Sequence, residues 1–353
     1  MVNYKDGICN KIFSGLLIVA ILFSACKNSN GKTTRGGSKK DSTKTDSAIV
    51  KEVKKDTLLP LDTALYKKLV LGLVHDSASA KWPVKSAYPL PGAILPFKRI
   101  VAYYGNFYST RMGILGELPP DEMLAKLKAE IKNWQAADTT IPVVPALQYI
   151  AVSAQYSPGK TKKYRMRMPF TQFDKTLDLA KKVDGIVFLD VQVGHSTVQE
   201  EIPQLESYLK LPNVHLAIDP EFSMKNGKVP GSQIGTMDAA DINYTTEYLA
   251  QIVRKYHLAP KILVVHRFTK GMLSNYQKII TRPEVQIVMN MDGFGFPAKK
   301  INSYKVAVVT EPVQFAGFKL FYKNDITYSD RKFIMRPDEV LKLYPRPVYI
   351  QYQ

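Results

Sequence analysis

From about residue 98 to the last residue, short apolar runs that end in polar or charged side chains alternate with helix-like segments, and eight such runs can be counted. Runs that are apolar throughout, rather than at every second position, are what parallel strands covered on both faces look like. The plainest is Gly185-Ile-Val-Phe-Leu-Asp190-Val-Gln192-Val-Gly194. Eight parallel strands, each followed by a helix, close into a (β/α)8 TIM barrel, and the polar ends of the runs then meet at the one rim where such barrels keep their chemistry. The expected fold class is therefore α/β, a parallel eight-stranded barrel. A dinucleotide-binding sheet would instead need a glycine fingerprint after the first strand.

The runs fall at 98–105, 141–152, 185–194, 213–222, 261–268, 285–293, 317–322 and 347–352, with 304–309 as a competing strand that would make a ninth. Helices are expected from Pro119-Pro-Asp121 to about Ala136, over Phe173 to Lys182, near 197–210, from Asp238 to about His257 and over Pro337 to Leu343. Proline and acids in a first turn suit the exposed amides and positive end of a helix. The Gly- and Pro-containing loop from Ser223 to Met237 has a length usually associated with function or disorder. An eighth helix has no sequence left to form it. The apolar periodicity of Ala64, Leu65, Leu69, Leu73 and Val74 predicts an amphipathic helix before the first strand, expected to cover that vacancy.

At the N-terminus, Lys5 and Lys11 precede the apolar stretch Ile12 to Ala25 and then Cys26. The stretch is short for a membrane span and has the basic start and small pre-cleavage residues of a secretory leader. It resembles a bacterial lipoprotein signal, with Phe23 where such signals usually carry leucine, and the resemblance implies cleavage before Cys26 and lipid attachment to its sulfur. Residues 1–25 are thus expected to be a lipoprotein signal peptide, 26–56 a flexible tether and 57–353 the barrel domain. The tether is rich in Ser, Thr, Lys, Gly and Asp and cannot bury enough apolar surface to offset chain entropy. The expected location is the bacterial cell envelope, lipid-anchored and facing the periplasm or the exterior. Cys9 lies within the leader, so no internal disulfide is expected.

The formal charge of +18 attracts acidic partners, but part of it sits in leader and tether and the rest is interspersed with acids, as on a solvated surface near a membrane. The absence of zinc-finger spacing, an RNP-like aromatic signature and a phosphate-cradling Gly-rich loop argues against nucleic acid.

The strand register would bring Tyr104, Gln148, Asp190, Gln192, Asp219, Glu221, His266, Asp292, Lys319, Tyr322 and Gln351 to one rim. Glu221 is the leading general acid/base, because two carboxyl groups in different surroundings can split their proton affinities and divide the labour of glycoside hydrolysis. Its partner candidates are Asp292, Asp190 and Asp219, in that order. Asp292 leads because Gly293-Phe294-Gly295-Phe296 beside it offers backbone room and an aromatic platform for a sugar. Tyr104, Gln148, Gln192, His266, Phe294, Lys319, Tyr322 and Gln351 are the expected substrate-binding set. Tyr103, Tyr108, Phe222 and Phe268 either extend the stacking surface or pack the core. His266 can tune a carboxylate, bind a metal with nearby acids or be a hydrogen-bonded rim histidine; His195 lacks a close metal-ligand spacing, and neither a metal nor a cofactor is expected.

Tyr104-Gly105, Asp219-Pro220-Glu221-Phe222, Val265-His266, Met291-Asp292-Gly293-Phe294-Gly295, Gly317-Phe318-Lys319-Leu320-Phe321-Tyr322 and Tyr349-Ile350-Gln351-Tyr352 give residues 98–353 a resemblance to bacterial lipoproteins with a glycoside-hydrolase-like barrel. The resemblance implies the barrel; a carbohydrate or other small polar ligand is the partner expected from the rim residues. Many retaining barrel glycosidases carry a glutamate acid after strand four and a second carboxylate after strand seven. Glu221 fits the first half, whereas Lys319 and Tyr322 occupy the end of run seven and Asp325 follows only three residues on. A chitinase-like pattern fails at Asp190 and Gln192. Three functions remain: hydrolysis of a carbohydrate by paired carboxylates, non-catalytic glycan or ligand binding, and a metal-dependent phosphodiesterase built on Asp190, Asp219, Glu221, His266 and Asp292.

Overall fold

The computed structural model describes residues 59–327 and 329–353; the leader, Cys26 and the tether lie outside the described residues. Eight strands carry the fold: β1 Arg99–Gly105, β2 Val143–Ala154, β3 Ile186–Val191, β4 Val214–Ile218, β5 Lys261–His266, β6 Val285–Met291, β7 Phe315–Leu320 and β8 Tyr349–Tyr352. Each pairs in parallel with its chain neighbours, and β8 closes the ring on β1 with Ile100 opposite Tyr349. The result is a closed parallel (β/α)8 barrel.

The principal helices are α1 Thr63–Gly72, α2 Pro120–Ala137, α3 Phe170–Lys181, α4 Ala239–Tyr256 and α5 Pro297–Tyr304. Pro120 opens α2 at a position whose amide would have no intrahelical acceptor, and the helix buries Met123, Leu124, Leu127 and Trp134 along one stripe. Asp238 caps α4: its side chain accepts from the Ala240 amide at 3.0 Å while Asp241 reaches back to the Asp238 amide at 2.8 Å. Among the described residues no helix is long and apolar enough to cross a membrane.

Alternation along the strands divides two cores. Val101, Leu147, Val187, Leu216, Leu263, Ile287, Phe318 and Ile350 face the helices, while Ile100, Ala146, Phe188, Ala217, Val264, Val288 and Phe315 fill the barrel.

Around the barrel the structure both departs from the sequence expectation and adds to it. Residues 305–309 do not make a ninth strand; they continue α5 as a wide helical turn. The helix expected near 197–210 is three short turns, Val198–Glu201, Ile202–Leu205 and Glu206–Leu209, with Pro203 inside the stretch. After β2 the chain adds a short strand, Arg165–Arg167, paired antiparallel with the end of β2. Finally, α1 does not stand in for an eighth outer helix. It lies at the base, where the Arg346 amide bonds to Leu73 O at 2.6 Å and the following chain plugs Leu95 into the barrel through a double hydrogen bond with the Gln286 side chain, 3.0 and 2.6 Å. The flank of β8 is covered by Trp134 of α2, whose indole N–H donates to the Tyr352 hydroxyl at 2.9 Å, and by Tyr322 stacked on Tyr352 at 5.2 Å.

Candidate active site

The upper interior of the barrel is polar on every strand. Tyr104 from β1, Gln148 from β2, Asp190 from β3, His266 from β5, Asn290 from β6, Lys319 from β7 and Tyr349 and Gln351 from β8 are all buried, joined by Asp219 and Asp292 just beyond β4 and β6. His266 is the hub. Its Nε2 lies 2.8 Å from Asp190 Oδ2 and its Nδ1 2.9 Å from Asp292 Oδ2. Two carboxylate acceptors call for two N–H donors, which only the imidazolium has. Burial disfavours that cation, but Asp190 and Asp292 outweigh the cost and push the imidazole up to about 10.

Hydrogen bonds extend outward from this hub. The Gln148 amide donates to Asp190 Oδ2 and accepts from the Tyr349 hydroxyl. The Gln351 amide lies 3.4 Å from that hydroxyl, and Asn290 Nδ2 donates to Gln351 Oε1 at 3.2 Å. Asn290 belongs to β6 and Gln351 to β8, so their bond must cross β7. It does so at Gly317, where an added Cβ would stand 2.8 Å from Asn290 Oδ1. Oδ1 of Asp190, Asp292 and Asn290 remain buried acceptors without a partner.

Pro220, which lacks an amide donor, ends the pairing of β4 at Ile218, and Pro220–Phe222 forms a tight turn. Asp219 Oδ1 caps that turn by accepting the Glu221 amide at 3.0 Å. The turn leaves Glu221 half-buried at the mouth, and its carboxyl has no hydrogen-bond partner among the described residues. The loop 223–237 packs back on the turn: Gly235 N bonds to Glu221 O at 2.6 Å, and a Cβ on Gly235 would lie within 2.7 Å of three backbone oxygens there.

These surroundings separate the acids. Burial, reinforced by Asp219 and Asp292, raises Glu221 to about 8, and burial with Asp292 and Asp190 nearby raises Asp219 to about 7 against the opposing pull of His266 and Lys319. Burial would raise Asp292 too, but His266, Lys319 and Lys300 win and hold it below the usual carboxylate range. Lys319 is lowered by burial despite four carboxyl groups around it. Its Nζ sits over the Tyr104 ring, 3.9 Å from the centroid. The Tyr104 hydroxyl accepts from Gln192 Nε2 at 3.3 Å, and burial together with the surrounding acids keeps that phenol protonated.

Not every expected residue reaches this cluster. Tyr322 is corrected to the outer side: its hydroxyl contacts Tyr103 and donates to Glu130, each at 2.9 Å, and Lys126 lies 3.6 Å from its ring centroid. Tyr103 is outside with it. Phe294 is exposed on the loop after β6, edge-on to Phe321. That loop is fastened by Lys300, which donates to Gly293 O at 2.8 Å, and by Asp325, which accepts from the Gly295 and Phe321 amides at 2.9 Å each. Asp325 is thereby occupied in holding two loops together. His195 bonds to Lys228 O at 2.8 Å and stacks on Tyr164, away from Asp190. Asn290 and Tyr349 went unremarked as site residues, although each stands two positions before a polar strand end, Asp292 and Gln351, and so faces the same way. Among the described residues no group of three or more His, Cys, Asp and Glu is arranged to hold a metal ion, and both His266 nitrogens are committed to carboxylates.

No family model matches the chain, and no curated protein matches it. Among solved structures it is similar to a ruminal GH26 endo-beta-1,4-mannanase, at 11% identity and a TM-score of 0.36, over 78% of this chain and 66% of that one. The chain thus spans just under two thirds of that protein's length.

Proposed function

We propose that this protein is a glycoside-hydrolase-like enzyme of the bacterial cell envelope, lipid-anchored through Cys26, with Glu221 as general acid and Asp292 as its ionised partner. The observation that carries the reading is the contrast between two carboxyl groups at one mouth. The Glu221 carboxyl has no hydrogen-bond partner among the described residues, and burial favours its protonated form. Asp292 is fixed at 2.9 Å to a charged imidazole and favours its anion. Glycosidic cleavage needs both states at once.

In the proposed step the Glu221 carboxyl gives its proton to the glycosidic oxygen as the bond to the anomeric carbon breaks. The Asp292 anion either attacks that carbon or takes a proton from an attacking water. His266, held from its far side by Asp190, orients Asp292 and keeps it charged, and Gln148 and Tyr349 hold Asp190 in turn. The separation of the two carboxyl groups with substrate bound decides between retention and inversion.

A second reading, glycan recognition without turnover, draws on the full burial of Asp190, His266, Gln148 and Gln351 in mutual hydrogen bonds. The test is reducing-sugar release from envelope and environmental glycans by the full chain in detergent, with Glu221→Gln and Asp292→Asn alongside. Loss of a general acid is expected to lower kcat on the order of 10²- to 10⁴-fold. Binding without turnover leaves the receptor, and turnover indifferent to both substitutions removes the assignment of the acids.

A further inference from the structure

Lys319 presents an imbalance that the proposed reaction does not use. Its side chain is only 4% exposed, yet its ammonium has no carboxylate within ion-pair distance and no hydrogen-bond acceptor among the described residues. Its near neighbours are ring faces, Tyr104 at 3.9 Å and Phe321 at 5.0 Å from the centroids. Its three N–H donors meet no protein acceptor among the described residues, which leaves them to solvent or to an arriving ligand. The residue stands at the upper end of β7 in the same mouth as Glu221 and Asp292.

A second feature points the same way. The arm 155–169 after β2 carries Lys160, Lys162, Lys163, Arg165 and Arg167 and no acidic residue. Glu201 accepts from Arg165 and Arg167 at 2.7 Å each, and Glu200 pairs with Lys163 at 3.4 Å. Lys160 and Lys162 have no ion pair among the described residues and are exposed. The arm is docked on the loop after β3: Gly194, at φ +59°, lets Lys163 and Tyr164 carbonyls approach where a Cβ would be 2.6 and 2.5 Å away, and Gly194 in turn bridges to Ser223, two residues past Glu221. This basic arm thus lies on the loops that follow β3 and β4, at the same end of the barrel as Lys319.

We propose that the substrate is an acidic glycan, one of whose sugar carboxylates pairs with Lys319 while the polyanion lies along Lys160 and Lys162. The inference rests on the mouth being a carbohydrate site, and it names the substrate class. A sugar carboxylate supplies a charge-assisted acceptor where a neutral sugar offers only hydroxyls. The proton retained by Glu221, and much of the time by Asp219, lowers the negative charge such a ligand would meet.

The experiment measures binding and cleavage of polygalacturonate, alginate and hyaluronate, each beside its carboxyl-reduced form, by the full chain in detergent, with anionic phosphatidylglycerol vesicles as a further arm. The acidic form of at least one glycan is expected to bind on the order of 10- to 100-fold more tightly than its reduced form. Lys319→Met should erase that preference, bringing the acidic and reduced forms to equal affinity. Lys160→Glu with Lys162→Glu, both on the exposed arm, should weaken binding and flatten its salt dependence even if Lys319→Met fails to fold. Acidic glycan bound through Lys319 but not cleaved upholds the inference and sinks the hydrolase reading. Equal binding of acidic and reduced forms, binding of none of the three, or binding of vesicles alone overturns the inference, and Glu221→Gln then judges hydrolysis separately.

Discussion

The lower and upper halves of the barrel interior are built by the same eight strands and solve opposite problems. On β3 the inward positions run Ile186, Phe188, Asp190; on β5, Ile262, Val264, His266; on β6, Gln286, Val288, Asn290. Below, most side chains need only fill volume, and Gln286, tied to the Leu95 backbone, closes the base. Above, every group carries a hydrogen-bonding or charge requirement that one particular neighbour meets, so identity matters as well as size. The upper half also balances its charge: the His266 and Lys319 cations offset Asp190 and Asp292 anions, while Glu221 and Asp219 keep protons to about 8 and 7. Stability can be drawn from either half, but chemistry only from the one whose requirements are incompletely met.

The largest effects should come from one substitution in each half. Phe188→Ala removes a fully buried ring packed on His215 and Tyr349 and is expected to cost about 3–5 kcal/mol. His266→Leu leaves two buried carboxylates without their cation and is expected to cost a similar ~3–5 kcal/mol. The halves differ in rescue. Adding Asp190→Asn and Asp292→Asn to His266→Leu should restore part of the loss in a denaturant midpoint, because the stranded charges are gone; the same pair added to Phe188→Ala should restore nothing. A His266→Leu cost below about 1 kcal/mol would mean that the upper half is held by packing after all.

A smaller effect sits on the boundary. Gly317→Ala puts a methyl group 2.8 Å from Asn290 Oδ1 and 3.0 Å from Val288 Cγ1. Asn290 can yield only by giving up its bond to Gln351, so a loss of about 1–3 kcal/mol is expected. An unchanged thermal midpoint would show that the Asn290–Gln351 bond is dispensable.

The barrel was legible because its strands are apolar on both faces and their ends are polar, a pattern that burial on two sides forces on any such sheet. Asp190, His266, Asp292 and Lys319 were legible as inward-facing strand ends from the same alternation. Other features were not, and for physical reasons. Tyr322 follows the end of β7, past the point where alternation predicts direction, and its phenol found Glu130 on a helix nearly two hundred residues away in sequence. Residues 304–309 are rich in β-branched side chains and read as a strand, but the preceding helix carries on through them and buries Ala307 and Val308. The place of α1 depended on contacts with Arg346 and Leu343, which no local periodicity encodes. The split between Glu221 and Asp292 depends on which acid a histidine touches, and a one-dimensional pattern places both acids at the rim without pairing either.

The finest test of the two halves is the pH dependence of the stability change caused by Glu221→Gln. Glutamine resembles the protonated acid, so near pH 4 the wild type and variant should be nearly equal in stability. Above the ordinary value of 4.5 the unfolded chain releases the Glu221 proton while the folded chain retains it until about 8. The folded state then binds more protons than the unfolded one, and wild-type stability falls relative to the variant as pH rises through this window. The Glu221→Gln advantage should therefore grow between about pH 4.5 and 8 and level off above it, reaching on the order of 1–2 kcal/mol once solvent screening of a half-buried group is discounted. Phe188→Ala, which removes packing on His215 and Tyr349 and no carboxyl group, should lack that growth between about pH 4.5 and 8. Parallel pH profiles for Glu221→Gln and the wild type would show that the mouth solvates Glu221 like an ordinary surface acid, and the upper half would lose its proposed general acid.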